Sequence, residues 1–205
     1  MKHIKGRFVT LIKALCLLGA CFFVLWSCKT VPEEREDRIS RLLLGPGILT
    51  SSQLADFFIQ NNPDYDYNEV YYLATLYKQE AALENINSDL AFAQMCHETG
   101  FLRFGNLVQP EWHNYCGLGA ISPEQPGCQF ETAQLGVRAH IQHLQAYATT
   151  EEVQLNSECV DPRYSWVHKT KYAQTLEEMA ASWAADPDYA KKLNSILIRM
   201  EDSIL

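Results

Sequence analysis

An all-α domain is the fold class this sequence predicts, and three observations carry the prediction. Apolar residues recur at helical spacing over nearly all of the chain beyond residue 50, and capping patterns stand in front of the periodic stretches. The one long break in periodicity, residues 101–131, gathers Pro110, Gly117, Gly119, Pro123, Pro126 and Gly127. That composition predicts a long ordered loop or at most a short hairpin, and long loops inside compact domains tend to be functional.

The chain opens with Lys2, Lys5 and Arg7, runs through an apolar stretch to Trp26, and reaches Leu25-Trp26-Ser27-Cys28, the order of a secretory signal. The last four residues resemble the bacterial lipoprotein box, whose cysteine is lipidated and becomes the first residue of the mature protein. An uncleaved membrane anchor is the alternative, since a run of this length is near that needed to span a bilayer. Both readings export the remainder of the chain. Residues 1–27 are therefore expected as a lipoprotein signal peptide, 28–45 as lipidated Cys28 and a tether, and 46–205 as one domain.

Within the domain, Thr50-Ser-Ser-Gln53 is a capping box leading into Leu54, Phe57 and Phe58, and Pro63 closes that helix. Val70, Leu73, Ala74, Tyr77 and Ala81 form one apolar face of a helix running to about Glu84. Asn87 or Ser88 caps a third helix that stops near Gly100. After the loop, helix returns from Thr132 to about Tyr147, followed by a second irregular stretch, NSECVDPRYSWVHK. Thr175-Leu-Glu-Glu178 is a capping box for Leu176, Met179, Ala180 and Trp183. Asp186-Pro187 supplies an N-cap and first turn for the stripe Tyr189, Leu193, Ile196, Leu197 and Met200.

The net charge is −8, and removal of a signal carrying Lys2, Lys5, Arg7, Lys13 and no acid takes it to −12, which argues against a nucleic-acid partner. Cys96, Cys116, Cys128 and Cys159 permit three disulfide pairings, of which Cys116 with Cys128 is the most local, and free thiols are an equal alternative. No CxxC occurs, which speaks against a zinc ribbon or redox site. His97-Glu98 begins an HExxH pattern, but Phe101 holds the second histidine position. His140 and His143 with His113 lack a neighbouring carboxylate or cysteine pattern, so no metal or other cofactor is expected.

Glu98 stands out. It continues the inward stripe Ala91, Gln94, Met95 into the last turn of its helix, with Phe101 and Phe104 positioned to shield it. A carboxyl group there faces the negative end of the helix dipole and loses water, so its pKa should rise, as protonation of a glycosidic oxygen requires.

Four segments in order, DLAFAQMCHETGF, HNYCGLGA, GCQFETAQLGVRAHIQHLQAYA and WAADPDYAKKLNSIL, resemble the peptidoglycan-cleaving glucosaminidases of glycoside hydrolase family 73, in the lysozyme-like superfamily. The resemblance covers about residues 50–200 and implies a lysozyme-like helical domain whose catalytic acid is Glu98 in Glu98-Thr99-Gly100. It implies a cleft-lining turn at Asn114-Tyr115-Cys116-Gly117, with Asn114 on an N-acetyl group and Tyr115 and Trp112 on sugar faces. It also maps an aromatic position onto Phe130 and a closing element onto Trp183, Asp186 and Tyr189. On their helix stripes, Trp183 and Tyr189 read better as core. A second carboxylate has no motif match, and Glu124 is chosen for its loop position; the alternative is assistance by the substrate's own acetamido group. The implied activity is an endo-β-N-acetylglucosaminidase on peptidoglycan glycan strands, in the envelope and anchored to a membrane through Cys28. A lytic transglycosylase or muramidase, and an inactive glycan-binding lipoprotein, stand as alternatives.

Overall fold

The computed structural model describes residues 37–150 and 154–204. Cys28 and the signal residues lie outside them. The described residues form seven α-helices and no strand: α1 Ser51–Asn61, α2 Tyr67–Glu84, α3 Ser88–Glu98, α4 Ala133–Ala148, α5 Tyr164–Thr170, α6 Leu176–Trp183 and α7 Tyr189–Ser203.

Most of these helices begin where local chemistry says. Thr50 and Thr175 each close a reciprocal capping box, with Gln53 and with Glu178, and Asn87 and Thr132 cap α3 and α4. Two boundaries differ from expectation. Asp186 does not cap α7; its Oδ1 accepts from Asp188 N at 2.9 Å, so Asp186-Pro187-Asp188 is a turn and the helix begins at Tyr189. The stretch expected to be irregular contains α5, whose N-cap Arg163 makes no side-chain bond. α5 is held from outside instead, packed on α4, with Tyr164 Oη donating to Gln145 Oε1 at 2.5 Å.

α3 is the buried centre. α1, α2, α4 and α7 pack around it, and every residue from Ser88 to Cys96 is buried. A helix enclosed on all sides carries no polar face, so Asp89 and Gln94 inside it must find protein partners. Asp89 does so by accepting from the N–H groups of Ile48 and Leu49.

Residues 37–45, expected as part of a tether, are docked on the domain. Ile39 and Leu43 are fully buried, Leu43 N donates to Gln174 O, and Asn87 N donates to Leu43 O. Glu201 Oε1 accepts from Arg41 Nη1 at 2.7 Å and from Ile39 N at 3.0 Å. A buried glutamate bound by an arginine and a backbone amide clamps the segment to α7.

The loop over residues 101–131 contains a single 3-10 turn, Pro110–Trp112, and one isolated bridge between Ser122 and Gln125. It is a loop rather than a hairpin.

Candidate active site

α3 ends at Glu98 because the chain beyond it turns left-handed: Gly100, Phe101, Leu102 and Phe104 have φ of +59°, +57°, +57° and +47°. For residues with a Cβ this conformation costs about 1 kcal/mol each or more, so neighbours must enforce it. Phe101 is drawn back onto Phe57 and Phe58, with ring centroids 6.0 and 5.6 Å away, and its carbonyl accepts from Asn62 Nδ2 at 2.8 Å. Leu102 N donates to Thr99 Oγ1 at 2.9 Å. Phe101 therefore belongs to the core and does not shield Glu98, whereas Phe104 lines the cleft in front of it. The sharp reversal leaves Glu98 at the floor of an open cleft of about 640 Å³, an ordinary size for a ligand site.

Both donors that reach Glu98 meet the same oxygen. Tyr189 Oη donates to Oε1 at 2.5 Å and Trp183 Nε1 donates to Oε1 at 2.9 Å. Oε2 faces Gly117, whose missing side chain leaves the approach open: a Cβ there would stand 3.9 Å from Oε2. Burial raises the carboxyl above the usual glutamate range, and the Tyr189 and Trp183 bonds draw it part of the way back. With Oε1 occupied as an acceptor, the proton of the neutral acid resides on Oε2, toward the cleft.

Behind Tyr189 the donors run in one direction. Gln94 Nε2 donates to Tyr189 Oη at 2.8 Å, and Gln94 Oε1 lies 3.1 Å from His140 Nε2. His140 Nδ1 lies 2.9 Å from Tyr77 Oη. A carboxamide oxygen only accepts, so His140 must carry its proton on Nε2 and accept from Tyr77 at Nδ1. Burial pushes the His140 pKa down to about 3, so the ring stays neutral. Tyr189 has its lone pair filled from behind and its O–H aimed at Glu98. The sequence stripe marks Gln94 as inward but not its role; a lone amide one turn before the acid on a buried helix is the available signal.

A family model described as mannosyl-glycoprotein endo-beta-N-acetylglucosaminidase matches residues 74–202, a span that contains Glu98, Trp183, Tyr189 and the groups behind them. The chain belongs to the glucosaminidase family. This glucosaminidase domain is thus a glycoside hydrolase domain. An uncharacterized protein of Borreliella burgdorferi is 36% identical over 168 residues, 82% of this chain and 81% of that protein. No solved structure matches significantly.

Not all residues expected at the glucosaminidase cleft reach it. Asn114 and Gly117 line the cleft, but both amide hydrogens of Asn114 are spent on Leu118 O at 2.9 Å and Cys128 O at 3.0 Å, and its Oδ1 accepts from Leu118 N. It builds the turn and has no donor left for an acetamido group. Tyr115 is buried on the side of His113, 3.4 Å from its Nδ1. Trp112 sits in the 3-10 turn, where its carbonyl accepts from Phe130 N, and Phe130 packs against Cys116, Leu118 and Ala139. None of these three aromatics lines the cleft; Phe104, Trp183 and Tyr189 do. Trp183 and Tyr189, read from their stripes as core, are the donors on Glu98.

Glu124 is exposed, accepts from Ser122 Oγ at 2.8 Å, and stands outside the cleft lining, because the Ser122–Gln125 turn carries it away. The carboxylate that does share the cleft is Asp186, paired with Lys192 at 2.6 Å and held below the usual aspartate range chiefly by that bond. Both of its oxygens are engaged, Oδ2 by Lys192 and Oδ1 by Asp188 N. His143 is bound to Asp161 at 2.8 Å, His140 is enclosed between Gln94 and Tyr77, and no group of metal-ligating residues assembles among the described residues. All four domain cysteines are free thiols.

Proposed function

We propose that this protein is an exported endo-β-N-acetylglucosaminidase of peptidoglycan, with Glu98 as its general acid. The observation that carries the reading is the attachment of both hydrogen-bond donors to Oε1, which leaves a desolvated Oε2–H directed into an open cleft. That proton passes to the glycosidic oxygen after an N-acetylglucosamine unit, the C1–O bond breaks, and the next sugar leaves as the alcohol.

For the second step, both oxygens of Asp186 are already engaged, and this favours the substrate's own 2-acetamido oxygen as the internal nucleophile. Attack at C1 from the face opposite Glu98 gives a cyclic oxazolinium ion. Water then adds at C1 as the C1–O bond of the oxazolinium ring breaks and the acetamido group re-forms, and the water proton passes to the Glu98 carboxylate, which restores the acid and leaves a reducing N-acetylglucosamine end.

Lipidation at Cys28 would tether the domain to a membrane facing the wall, where this polymer lies. The test is mass spectrometry of fragments released from peptidoglycan by the purified mature protein, with and without borohydride reduction. The expected outcome is reduction at N-acetylglucosamine. Reducing muramic ends or 1,6-anhydromuramic ends would make it a muramidase or a lytic transglycosylase, and no fragments from folded protein would make it a glycan-binding lipoprotein.

A further inference from the structure

A second depression, of about 190 Å³, adjoins the cleft and shares Cys116, Gly117, Ala120 and Trp183 with its wall. Its outer side is formed by Arg163, Trp166 and Lys171, from α5 and the residues flanking it. The Arg163 guanidinium carbon stands 5.0 Å from the centroid of the exposed Trp166 ring and Lys171 Nζ stands 5.7 Å from it, so two cations lie over one indole.

Arg103 in the cleft lining donates to the carbonyls of Gly100 and Asn61. Arg41, Arg138, Lys191 and Lys192 are each paired with a carboxylate, whereas among the described residues neither Arg163 nor Lys171 forms a salt bridge. Residues 162–176 carry Arg163, Lys169 and Lys171 with no Asp or Glu, in a chain of net charge −8. Asp161, just before this stretch, accepts from the Arg163 backbone N at 2.8 Å and from His143, which leaves the Arg163 and Lys171 side-chain charges beside the cleft complementary to an anionic ligand.

We propose that this depression is a subsite for the carboxylates of the acidic peptide that hangs from the glycan strand. The proposal rests on the glycan-cleaving function and narrows its substrate to peptide-bearing strands. A bare N-acetylglucosamine polymer carries no charge and gains nothing from Arg163 and Lys171. A strand with a peptide on every second sugar brings carboxylates out of the cleft past Trp183, where the two cations stand. An indole with two cations over it also suits an anionic lipid surface, but the wall shared with the cleft favours the strand.

The test compares kcat/KM on soluble strands with intact peptides and on strands stripped by an amidase, for the mature protein and its Arg163→Gln/Lys171→Gln variant. The unsubstituted protein is expected to favour peptide-bearing strands roughly five- to tenfold, the size two exposed charge pairs supply, with the preference shrinking in salt. The variant is expected to lose that preference through KM. Stripped strands keep the lactyl carboxylate, so an equal fall on both substrates moves the cations to that group and overturns the assignment. An unchanged ratio also overturns it, and an accompanying loss of binding to phosphatidylglycerol vesicles would assign the patch to a membrane. If neither strand is turned over, the proposed function fails on its own. Binding of peptide-bearing fragments to Glu98→Gln protein, with and without the two substitutions, then still decides the subsite.

Discussion

On the helical wall of the cleft, the groups that touch Glu98 are themselves held by other buried groups: Tyr189 by Gln94, Gln94 by His140, His140 by Tyr77. On the facing wall, residues 100–120, the backbone keeps its shape through left-handed residues and a turn tied by Asn114. The first wall sets where the proton sits on Glu98 and how tightly it is bound. The second sets how much room stands before Oε2. Substitutions on the helical wall should therefore alter turnover and its pH dependence, and those on the loop wall should alter access and backbone strain.

The largest effect belongs to Glu98→Gln, which keeps the shape and removes the proton. Turnover of peptidoglycan is expected to fall by about a thousandfold or more, measured by release of reducing ends. Stability supplies an independent check with a fixed sign. The folded-state pKa of Glu98 is raised, so its contribution to stability is present below the unfolded value and lost as pH rises through the folded one. Glutamine has nothing to ionise, so the Tm of the variant relative to the unsubstituted protein is expected to climb as pH rises above 4.5. A difference independent of pH would show that the carboxyl is not strained by burial.

Tyr189→Phe removes a donor that favours the ionised form, so Glu98 should hold its proton to higher pH. The basic limb of the pH–rate profile is expected to move up, with turnover at the optimum down about tenfold. A downward move would contradict donation from Tyr189 to Glu98.

Gln94→Leu breaks the same chain one step back, leaving His140 Nε2–H without its acceptor and Tyr189 Oη with its bond to Glu98 alone. Denaturant unfolding is expected to show a loss of about 1–3 kcal/mol, the cost of an unsatisfied buried polar group. No loss would mean that the His140 N–H finds another acceptor.

On the loop wall, Gly117→Ala places a methyl group before Oε2 at a φ of +66°. The expected cost is about 1 kcal/mol of stability with a severalfold fall in kcat/KM, and a fall comparable to that of Glu98→Gln would erase the distinction between the walls. The smallest effect is expected from Glu124→Gln, within about twofold of the unsubstituted rate on the same assay. A large loss would return Glu124 to the cleft chemistry.

Several features are legible in the sequence alone. Thr50, Asn87, Thr132 and Thr175 mark four helix starts because capping is local chemistry between residues two or three apart. Glu98 is legible because its stripe places a carboxyl where apolar residues belong. The features that escape such reading share a cause. α5 has no cap and depends on α4, and Ile39 and Leu43 sit in a charged segment whose burial depends on α6 and α7. Asn114 and Tyr115 lie in the turn that the family resemblance implies, but their side chains are aimed by contacts within the folded loop that no spacing reveals.

By itself the sequence determined six of the seven helices, four of their caps, the long loop and the acid at the end of the central helix, since each follows from periodicity or from partners a few residues apart. Only the tertiary structure decided which groups act on that acid. Trp183 and Tyr189 lie 85 and 91 residues beyond Glu98, and they reach one oxygen of it because α6 and α7 pack against the core around α3. Contacts at such separation are set by the sum of many packing interactions, and no local spacing encodes which oxygen is bound and which is left facing the cleft.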